Sequence, residues 1–362
     1  MEEYLHDLSK IQINFSDMFS KTIIISPSGK FYGSEQTLFS FMQATRNIYT
    51  VYISSNDGRF LKAAKEQKKH QIKSFSNVKL LYVIVFFKML FGNSNCLYVN
   101  EGGHIRYIKK IASILKNKLF VVHVRLIEDT THCRLKNTPS NVKLISTSKY
   151  ISDLIQQSTG ILSEVISSPC RCSDEKPVWN SDFLEDGLIH VGIIGRVTPT
   201  KGLSDIINFC EYIEMNKMKI YFHFWGDVES SLLLDKFKKN IDNYKFVKIV
   251  FHNYEKDKKV IFNRMDIIIH FCKTEPLGGI FFESLNFGKP FIGFNARGIG
   301  EIAKKLQISN LMVDDSINWE EEMLKKIKYV QCHIEEYKEA RNKMLQIYSL
   351  EDYCRKIEEI LL

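Results

Sequence analysis

Short apolar runs of strand length alternate with amphipathic stretches along the first half of the chain. The runs lie at residues 22–25, 49–55, 96–101, 118–124 and 143–148. Between them, apolar residues recur three or four positions apart in segments that begin near Ser34 or span 105–117 and 149–159, a spacing typical of helices. Strands that alternate with helices in this way predict an α/β fold with a parallel sheet.

The alternation stops at residues 167–187 (SSPCRCSDEKPVWNSDFLEDG), which are polar and have no helix or strand period. It then resumes, with strand-like runs at residues 190–196, 219–226, 248–253, 266–271 and 290–294 and helical spacing from Glu321 to the C-terminus. A chain of 362 residues is long enough for two domains. We therefore predict two Rossmann-like domains that face a cleft, at residues 1–175 and 188–345, with a last helix at 346–362 that packs back on the first domain.

The net charge of +8 is concentrated in the first half of the chain. Residues 1–180 contain 24 Lys and Arg against 14 Asp and Glu, or +10, and the remainder contains 26 against 28, or −2. A basic half with nearby aromatic residues favours an anionic partner, such as a membrane surface or a lipid-linked phosphate. The Lys-rich segments 61–73 and 105–118 have apolar spacing as well, so we expect them to lie on an anionic membrane. A solvated basic face is the alternative.

Neither the N-terminus nor the cysteines indicate export or a metal site. The sequence MEEYLHDLSK is charged and has no apolar core, so we expect no secretory signal and a cytoplasmic protein. The longest apolar run, residues 80–91, has 12 positions, whereas a membrane span needs about 20. The eight cysteines include no C-x-x-C pair, and we expect reduced thiols and no bound metal.

Three strand–loop–helix junctions in the second half carry candidate ligand-binding residues. In the first, HVGIIGRVTPTKG, Arg196 and Lys201 lie between a strand and an amphipathic helix. Ligands bind at the carboxyl ends of strands in open α/β sheets, and a helix N-terminus with nearby cations suits a pyrophosphate. Two exposed basic residues in a surface loop are the alternative interpretation.

The second junction, CKTEPLGGIFFESLNFGKP, has a glutamate before a glycine pair and another inside the next helix. Glu275 lies in the loop and Glu283 about one turn into the helix. Gly278 and Gly279 let a ligand approach the backbone and leave N–H groups free for a phosphate. The carboxylates suit sugar hydroxyls, although a glutamate near a helix N-terminus also stabilises the helix dipole by itself. A third junction, GFNARGIGEI (293–302), is less specific.

Candidates in the first half are weaker. The loop SPSGKFYGSEQ places Gly33 before a helix, which suits a phosphate, but it matches neither a P-loop nor a dinucleotide-binding fingerprint. His123 lies near the end of a predicted strand, which would bring it to the cleft, and His104 is a rival candidate. A lone histidine at a strand end is more often structural.

Together these motifs resemble those of the retaining, nucleotide-sugar-dependent glycosyltransferases of family 4, which have the GT-B fold. IGRVTPTKG resembles the G-R-(loop)-K-G donor signature of that family, and EPLGGIFFESLNFGKP its block with two glutamates eight positions apart. The resemblance covers residues 190–302 best. It is looser in the first half, through GSEQ and LISTSKYISDLI. The chain departs from the family at Phe271 and Cys272, where Pro-Ser is usual, at SSPCRC and at RGIGE.

The resemblance implies a role for each matching residue. Arg196 and Lys201 would bind the donor diphosphate. The backbone N–H groups of Leu277, Gly278 and Gly279 would contact the phosphate or the sugar. Glu275 would contact the transferred sugar near the reacting carbon and Glu283 the ribose. In the first domain, which binds the acceptor in this family, Gly33 would lie near the phosphate and His123 near the sugar.

The resemblance also implies a reaction. The expected substrate is a UDP- or GDP-linked sugar, with no separate cofactor, and the acceptor is a glycan or a lipid-linked molecule in surface-polysaccharide synthesis, at the inner face of a membrane. No Asp-x-Asp occurs, so we expect metal-independent transfer, with retention through same-face attack and no protein nucleophile. A GT-B epimerase, a phosphorylase-like enzyme and a non-catalytic nucleotide- or polyanion-binding protein are the alternatives. We expect no binding to nucleic acid.

Overall fold

The structure is a computed structural model that describes residues 19–171, 176–179, 187–227, 232–252, 255 and 257–361. It divides into two compact units. The first contains the chain up to Thr147, Ile151–Ser167 and the C-terminal segment from Leu350, and the second contains Ser148–Tyr150 and Ser168–Ser349. The segment 1–18 and much of the predicted linker 167–187 lie outside the described residues. The acceptor and donor roles assigned to the two domains stay predictions.

The first unit is built on a sheet of seven parallel strands in the order β3-β2-β1-β4-β5-β6-β7. The strands are β1 (Phe19–Ser26), β2 (Ile48–Ile53), β3 (Gln71–Ser74), β4 (Cys96–Val99), β5 (Leu119–Val124), β6 (Val142–Ser146) and β7 (Glu164–Val165). The connecting helices are α1 (Gly33–Ala44), α2 (Arg59–Glu66), α3 (Val78–Phe91), α4 (Ile105–Ile114), α5 (His132–Leu135) and α6 (Lys149–Thr159). The predicted alternation is confirmed, but β3 and β7 were not predicted, because both are short, partly exposed edge strands.

The second unit has a five-stranded parallel sheet in the order β10-β9-β8-β11-β12. Its strands are β8 (Ile189–Ile194), β9 (Ile220–Trp225), β10 (Val247–His252), β11 (Ile267–His270) and β12 (Phe291–Gly293). Its helices are α7 (Leu203–Met215), α8 (Leu232–Ile241), α9 (Lys258–Phe262), α10 (Gly279–Asn286), α11 (Arg297–Leu306), α12 (Trp319–Tyr329) and α13 (Ile334–Ile347). All five predicted strands of this half are confirmed to within two residues.

The last helix, α14 (Leu350–Leu361), belongs to the core of the first unit. Its buried residues Tyr353, Ile357 and Leu361 pack in the cluster that includes Phe41 and Tyr49. Polar contacts reinforce this packing, because the Thr22 hydroxyl donates to the carbonyl oxygen of Leu361 at 3.0 Å. The helical tail therefore divides, with α12 and α13 in the second unit and α14 in the first.

The apolar run at residues 80–91 forms most of α3, a helix that is apolar on two faces. Leu81, Tyr82, Val85 and Met89 are buried against the sheet. The outward face carries Leu80, Val83, Phe87, Leu90 and Phe91, of which Phe91 is 80% exposed. Within the described residues, no helix has both the length and the apolar content needed to cross a membrane.

The two Lys-rich segments 61–73 and 105–118 do not have an exposed apolar face like that of α3. Most of their apolar positions, among them Leu61, Ala64, Ile105 and Ile108, are buried in the first unit, although Ile114 is exposed. Much of the amphipathic spacing in both segments therefore comes from residues of the core, and the expectation that the two segments lie on an anionic membrane stays a prediction. Buried side chains of α2 and α4 are not available to lipid.

Candidate active site

The candidate residues of the second unit lie where the strand order of its sheet reverses. Strands β8 and β11 are neighbours, and the chain continues from them toward opposite edges of the sheet. Ligands of doubly wound sheets bind beyond the carboxyl ends of the strands at this switch point. The loop after β8 carries Arg196 and Lys201, and the loop after β11 carries Glu275. The topology therefore brings the two predicted motifs together.

Lys201 and Glu275 form an ion pair across this switch point. The Lys201 Nζ lies 2.7 Å from Glu275 Oε2, and His270 Nε2 lies 3.1 Å from the same oxygen. Burial alone would raise the pKa of the Glu275 carboxyl, but the hydrogen bond and charge of His270, together with the Lys201 ammonium, lower it to about 2. Glu275 is therefore an oriented carboxylate at neutral pH.

His270 was not predicted to take part in the site. Burial by itself would lower its pKa, yet hydrogen bonds to Cys272 and Glu275 outweigh that effect and raise the pKa of His270 to about 9. The imidazolium is thus held between a thiol and a carboxylate. The sequence signal for His270 is a polar residue near the end of the apolar run DIIIHF, five positions before the loop residue Glu275.

Cys272 and Phe271 occupy the two positions where the glycosyltransferases of family 4 usually have Ser and Pro. The Cys272 thiol is buried, and although burial opposes the change, the hydrogen bond with His270 lowers the pKa of Cys272. One candidate ligand atom each from His270, Cys272 and Glu275 lies within 4.8 Å of the other two. These three residues are the group in the described residues that has the geometry to hold a metal ion.

Two glycines give the loops their conformation. Gly202, which precedes α7, has φ of 86°, and a Cβ there would lie 2.5 Å from the carbonyl oxygen of Phe271. Gly278, which precedes α10, has φ of 95°, and a Cβ there would lie 2.3 Å from Ile299 Cδ1. Both positions thus require glycine for the fold itself.

Gly279 differs from its neighbour Gly278. It is the exposed first residue of α10, and a Cβ there would meet no atom within 4 Å. The fold therefore does not require a glycine at this position, whereas a ligand that approaches the helix N-terminus would. Leu277, which precedes the pair, is buried, so only its backbone is suited to contact a ligand.

Arg196 is exposed, at the start of the loop after β8. Its charge acts on Lys201: burial and Arg196 both lower the pKa of the Lys201 ammonium, but Glu275 outweighs them, and the net shift is upward. Both cations are therefore charged and lie close enough to attract one anion together. This arrangement agrees with the predicted diphosphate site without testing it.

Glu283 lies on α10 and is held by two cations that were not predicted. Its Oε1 accepts a hydrogen bond of 2.6 Å from Arg171 Nη2 and another from Lys258 Nζ. Burial opposes ionisation, but Lys258 and Arg171 lower the pKa of the Glu283 carboxyl. The Asn286 amide also donates to the carbonyl oxygen of Arg171 at 2.6 Å. This bond holds the backbone at Arg171, in the predicted linker, against α10.

The third junction, residues 293–302, packs against the loop that carries Glu275. A Cβ at Gly298 would lie 2.5 Å from the carbonyl oxygen of Pro276, and the Gly298 N–H donates to the carbonyl oxygen of Glu275 at 3.0 Å. On the other side of the loop, Lys273 Nζ lies 2.9 Å from Asp315 and 4.6 Å from the ring centre of Phe294. The loop that carries Glu275 is thus fixed at both ends.

Gly33 lies at the corresponding switch point of the first unit, between β1 and β4. It is exposed, and a Cβ there would meet no atom within 4 Å. The N-terminus of α1 is stabilised by Glu35, whose carboxylate accepts from the Tyr32 N–H at 3.0 Å, and by contact of the Ser34 hydroxyl with Glu101. As at Gly279, the fold does not by itself require glycine.

His123 lies in a buried polar network near the end of β5. Its Nδ1 lies 3.2 Å from Arg125 Nη2 and 3.0 Å from the Tyr98 hydroxyl. Since a guanidinium can only donate, Nδ1 accepts and the proton lies on Nε2, which has no hydrogen-bond partner among the described residues. Burial and the charge of Arg125 lower the pKa of His123 well below its usual range, and the Ile166 backbone offsets this only in part.

His104, the rival candidate, lies immediately before α4. Its Nδ1 lies 3.1 Å from the hydroxyl of Tyr82, and burial, assisted by the charge of Arg106, lowers the pKa of His104 to about 4. Both candidate histidines, His104 and His123, are therefore neutral at pH 7. His123 has the unpartnered nitrogen, and His104 is already engaged with α3.

Comparison with known proteins agrees with this geometry. Residues 181–344 match the family of glycosyl transferases group 1. No curated protein matches the chain by sequence. Solved structures do resemble its fold at low sequence identity, and the match extends over both units.

The structure of Anabaena Alr3699/HepE in complex with UDP and glucose is 17% identical, with a TM-score of 0.72 over 94% of this chain and 99% of that one. A glycosyltransferase from Rickettsia africae ESF-5 is 15% identical, with a TM-score of 0.69 over 94% and 98%. The lipopolysaccharide outer core galactosyltransferase WaaB is 11% identical, with a TM-score of 0.64 over 94% and 98%. The chain thus has the GT-B fold, and the part of it that matches the glycosyl transferases group 1 family is residues 181–344.

Proposed function

We propose that the protein transfers a sugar from a nucleotide-sugar donor to a glycan or lipid-linked acceptor, with retention of anomeric configuration. The observation that carries this proposal is the ion pair of Lys201 with Glu275 at the switch point of a group 1 glycosyl transferase domain. A cation for the departing diphosphate and a carboxylate for the sugar lie side by side there. Both are ionised and fixed before any ligand binds.

Each polar group of the second unit then has a chemical task. Arg196 and Lys201 neutralise the diphosphate as the bond to the sugar breaks, and N–H groups at Leu277 to Gly279 add fixed dipoles at the same place. Glu283 binds the ribose hydroxyls. Because its two cations contact Oε1, and Oε2 has no hydrogen-bond partner in the described part of the chain, one oxygen remains for the ribose.

Glu275 acts on the transferred sugar. A sugar that leaves a diphosphate develops positive charge at the reacting carbon, and a carboxylate already ionised beside it stabilises that charge. We infer same-face attack of the acceptor, without a covalent intermediate. The leaving diphosphate is neutralised by side chains, so the reaction proceeds without a metal.

His123 supplies a neutral hydrogen-bond donor from the first unit. Its Nε2–H is fixed by the Arg125 and Tyr98 contacts at Nδ1, and its low pKa keeps it uncharged. We infer that it donates to a hydroxyl of the sugar rather than acting as an acid. Gly33 leaves space for the phosphate beside the N-terminus of α1.

The donor is a UDP- or GDP-sugar. UDP is favoured, because structures of Alr3699/HepE hold UDP, UDP and glucose, or UDP-glucose. A thermal-shift panel of UDP- and GDP-sugars identifies the donor first, and transfer of labelled sugar to lipid extracts or oligosaccharides follows. The expected product retains the anomeric configuration in its proton NMR spectrum, and EDTA leaves the rate unchanged.

Replacement of the carboxylate tests the assignment itself. We expect Glu275→Gln to lower kcat at least about 100-fold, the cost of losing one fixed electrostatic group in a site of this kind. Glu321→Gln, an exposed glutamate at the start of α12, is the matched control. Full transfer by the Glu275→Gln variant would reject the proposal, and release of free sugar or an epimerised donor without acceptor would assign the epimerase or phosphorylase alternative.

We further propose that the enzyme works at the inner face of a membrane in surface-polysaccharide synthesis. The outward face of α3 supports this, since exposed Phe87 and Phe91 lie on one helix with exposed Lys79 and Lys88. We expect flotation with anionic vesicles at low salt and loss of binding in Phe87→Ser/Phe91→Ser. Ile317→Ser, which removes an exposed apolar residue of the second unit, is the control. Equal flotation of the double variant and the unmodified chain would contradict a membrane role for α3.

A further inference from the structure

Three different metal-binding groups converge at the end of β11. His270 supplies an imidazole nitrogen, Cys272 a sulfur and Glu275 a carboxylate oxygen, and one such atom from each lies within 4.8 Å of the others. His270 Nε2 and Glu275 Oε2 are already 3.1 Å apart. In a tetrahedral zinc site with bonds of about 2.0–2.3 Å, ligand atoms lie roughly 3.3–3.6 Å from one another. Small side-chain rotations, with release of the His270 imidazolium proton and the Cys272 thiol proton to solvent as the metal binds, complete the geometry.

We propose that His270, Cys272 and Glu275 form a Zn²⁺ site that switches the donor site off. A nitrogen, a sulfur and an oxygen ligand together suit Zn²⁺, whereas Mg²⁺ and Ca²⁺ prefer oxygen alone. Three protein ligands leave a fourth position for water. The site does not contribute to transfer, which proceeds without a metal.

The loop is preorganised for such a site. His270 is the last residue of β11, and the segment that carries Glu275 is fixed by Gly298 and Lys273 on its two sides. The Cys272 thiol is buried and contacts His270, and its sulfur lies 3.4 Å from the carbonyl oxygen of Thr200 and 3.8 Å from the Thr274 hydroxyl. Because thiols are weak hydrogen-bond donors, a metal ion that binds the sulfur displaces only weak hydrogen bonds.

Inhibition follows from the shared carboxylate and rests on the proposed function. Glu275 Oε2 contacts both Lys201 and His270. When Zn²⁺ binds the carboxylate, Lys201 loses its partner, and Glu275 is no longer available to the sugar. The ion and the donor therefore exclude each other, and inhibition is competitive with the nucleotide sugar.

Co²⁺ tests the site without any reference to activity. We expect the full chain, freed of metal with a chelator, to bind one Co²⁺ with a thiolate-to-cobalt charge-transfer band and intense tetrahedral ligand-field bands, all abolished by Zn²⁺. Cys272→Ser should remove the charge-transfer band and weaken Zn²⁺ binding at least about 100-fold, whereas Cys133→Ser and Cys332→Ser, which alter exposed cysteines elsewhere, should keep both. Absence of the band from the unmodified chain, or its persistence in Cys272→Ser, overturns the proposal.

A second measurement separates this proposal from the transferase assignment. Each variant is assayed with and without Zn²⁺, and the ratio of the two rates is compared. We expect Zn²⁺ to raise the donor KM of the unmodified enzyme at least about tenfold, with recovery by EDTA, and to leave the ratio for Cys272→Ser near one. Equal inhibition of both enzymes overturns the regulatory role. A cobalt spectrum in a chain without transfer activity supports the metal site and rejects only the transferase.

Discussion

The two units contain histidines at similar places in their sheets, one neutral and the other positively charged at pH 7. His270 ends β11 between a carboxylate and a thiol, and its pKa is raised to about 9. His123, near the end of β5, is buried beside the Arg125 guanidinium, and its pKa is lowered well below the usual range. The first unit thus has a neutral donor and the second a charged, paired cluster. The comparison shows that burial and the hydrogen-bond partners together decide which charge a strand-end histidine carries.

The largest expected effect is the loss of transfer activity when the charged cluster of the second unit loses Lys201. Lys201→Ala should lower kcat about 100- to 1,000-fold, because the departing diphosphate loses a fixed cation and Glu275 loses its ion-pair partner. The measurement is steady-state transfer of labelled sugar at saturating donor. Lys304→Ala, an exposed lysine on α11 of the same unit, is the control and should match the unmodified enzyme. Equal loss in both variants would point to folding instead of chemistry.

The ionisation contrast has a direct test by nitrogen-15 NMR of histidine side chains in EDTA buffer. We expect His123 to remain neutral with its proton on Nε2 at about pH 5.5, and His270 to remain protonated at about pH 7.5. His123→Asn and His270→Asn assign the two resonances. The raised pKa of His270 stabilises the folded state below about pH 6.5, and this contribution is lost as pH rises through about 9. A protonated His123 under the acidic condition would contradict the contrast.

Glycine substitutions separate what the fold needs from what a ligand needs. Gly278→Ala should lower the free energy of unfolding by more than about 1 kcal/mol, because φ is 95° and the new Cβ meets Ile299. Gly279→Ala and Gly33→Ala should leave it within about 0.5 kcal/mol and raise the donor KM about tenfold. Urea unfolding and donor titration measure the two quantities. An unchanged KM in both ligand-facing variants would remove the two helix N-termini from the donor site.

The smallest effect is expected in the buried network of the first unit. Tyr353→Phe removes the hydroxyl that accepts from Arg125 Nη2 at 3.3 Å and should lower the stability of this unit by about 1 kcal/mol. Urea unfolding followed by a probe in the first unit measures it. Tyr329→Phe, an exposed tyrosine at the end of α12, is the control and should change nothing. A loss of more than about 3 kcal/mol would show that the network depends on this bond.

Local sequence pattern was sufficient for most of the fold and for the choice of Lys201 and Glu275 as candidate residues. Apolar runs followed by glycine-containing loops identified β8 and β11, and parallel pairing of these strands then placed Lys201 beside Glu275. The glycine pair and the helix start at Gly279 also followed from local residues. Strands, loops and helix starts depend on sequence neighbours, which is why a pattern can predict them, whereas the contact of Lys201 with Glu275 joins residues 74 positions apart and follows from the strand order.

The partners of the site residues depend on distant parts of the chain. Arg171 lies 112 positions from Glu283, and Tyr353 lies 228 positions from Arg125. His270 is close in sequence to Glu275, but their contact depends on the path of the loop between them. No periodicity reports such contacts, so the sequence identified candidate residues but not the side chains that hold them in place.

The place of α14 has a consequence for synthesis of the chain. A ribosome completes residues up to 167 long before Leu350–Leu361, yet Tyr353, Ile357 and Leu361 are part of the core of the first unit. Domains generally fold in the order in which they emerge. Here the part made first reaches its final packing last, after the second unit has emerged. A nascent chain stalled before Leu350 therefore lacks part of the apolar core of its first unit, and we expect this half to be the one exposed to aggregation during translation.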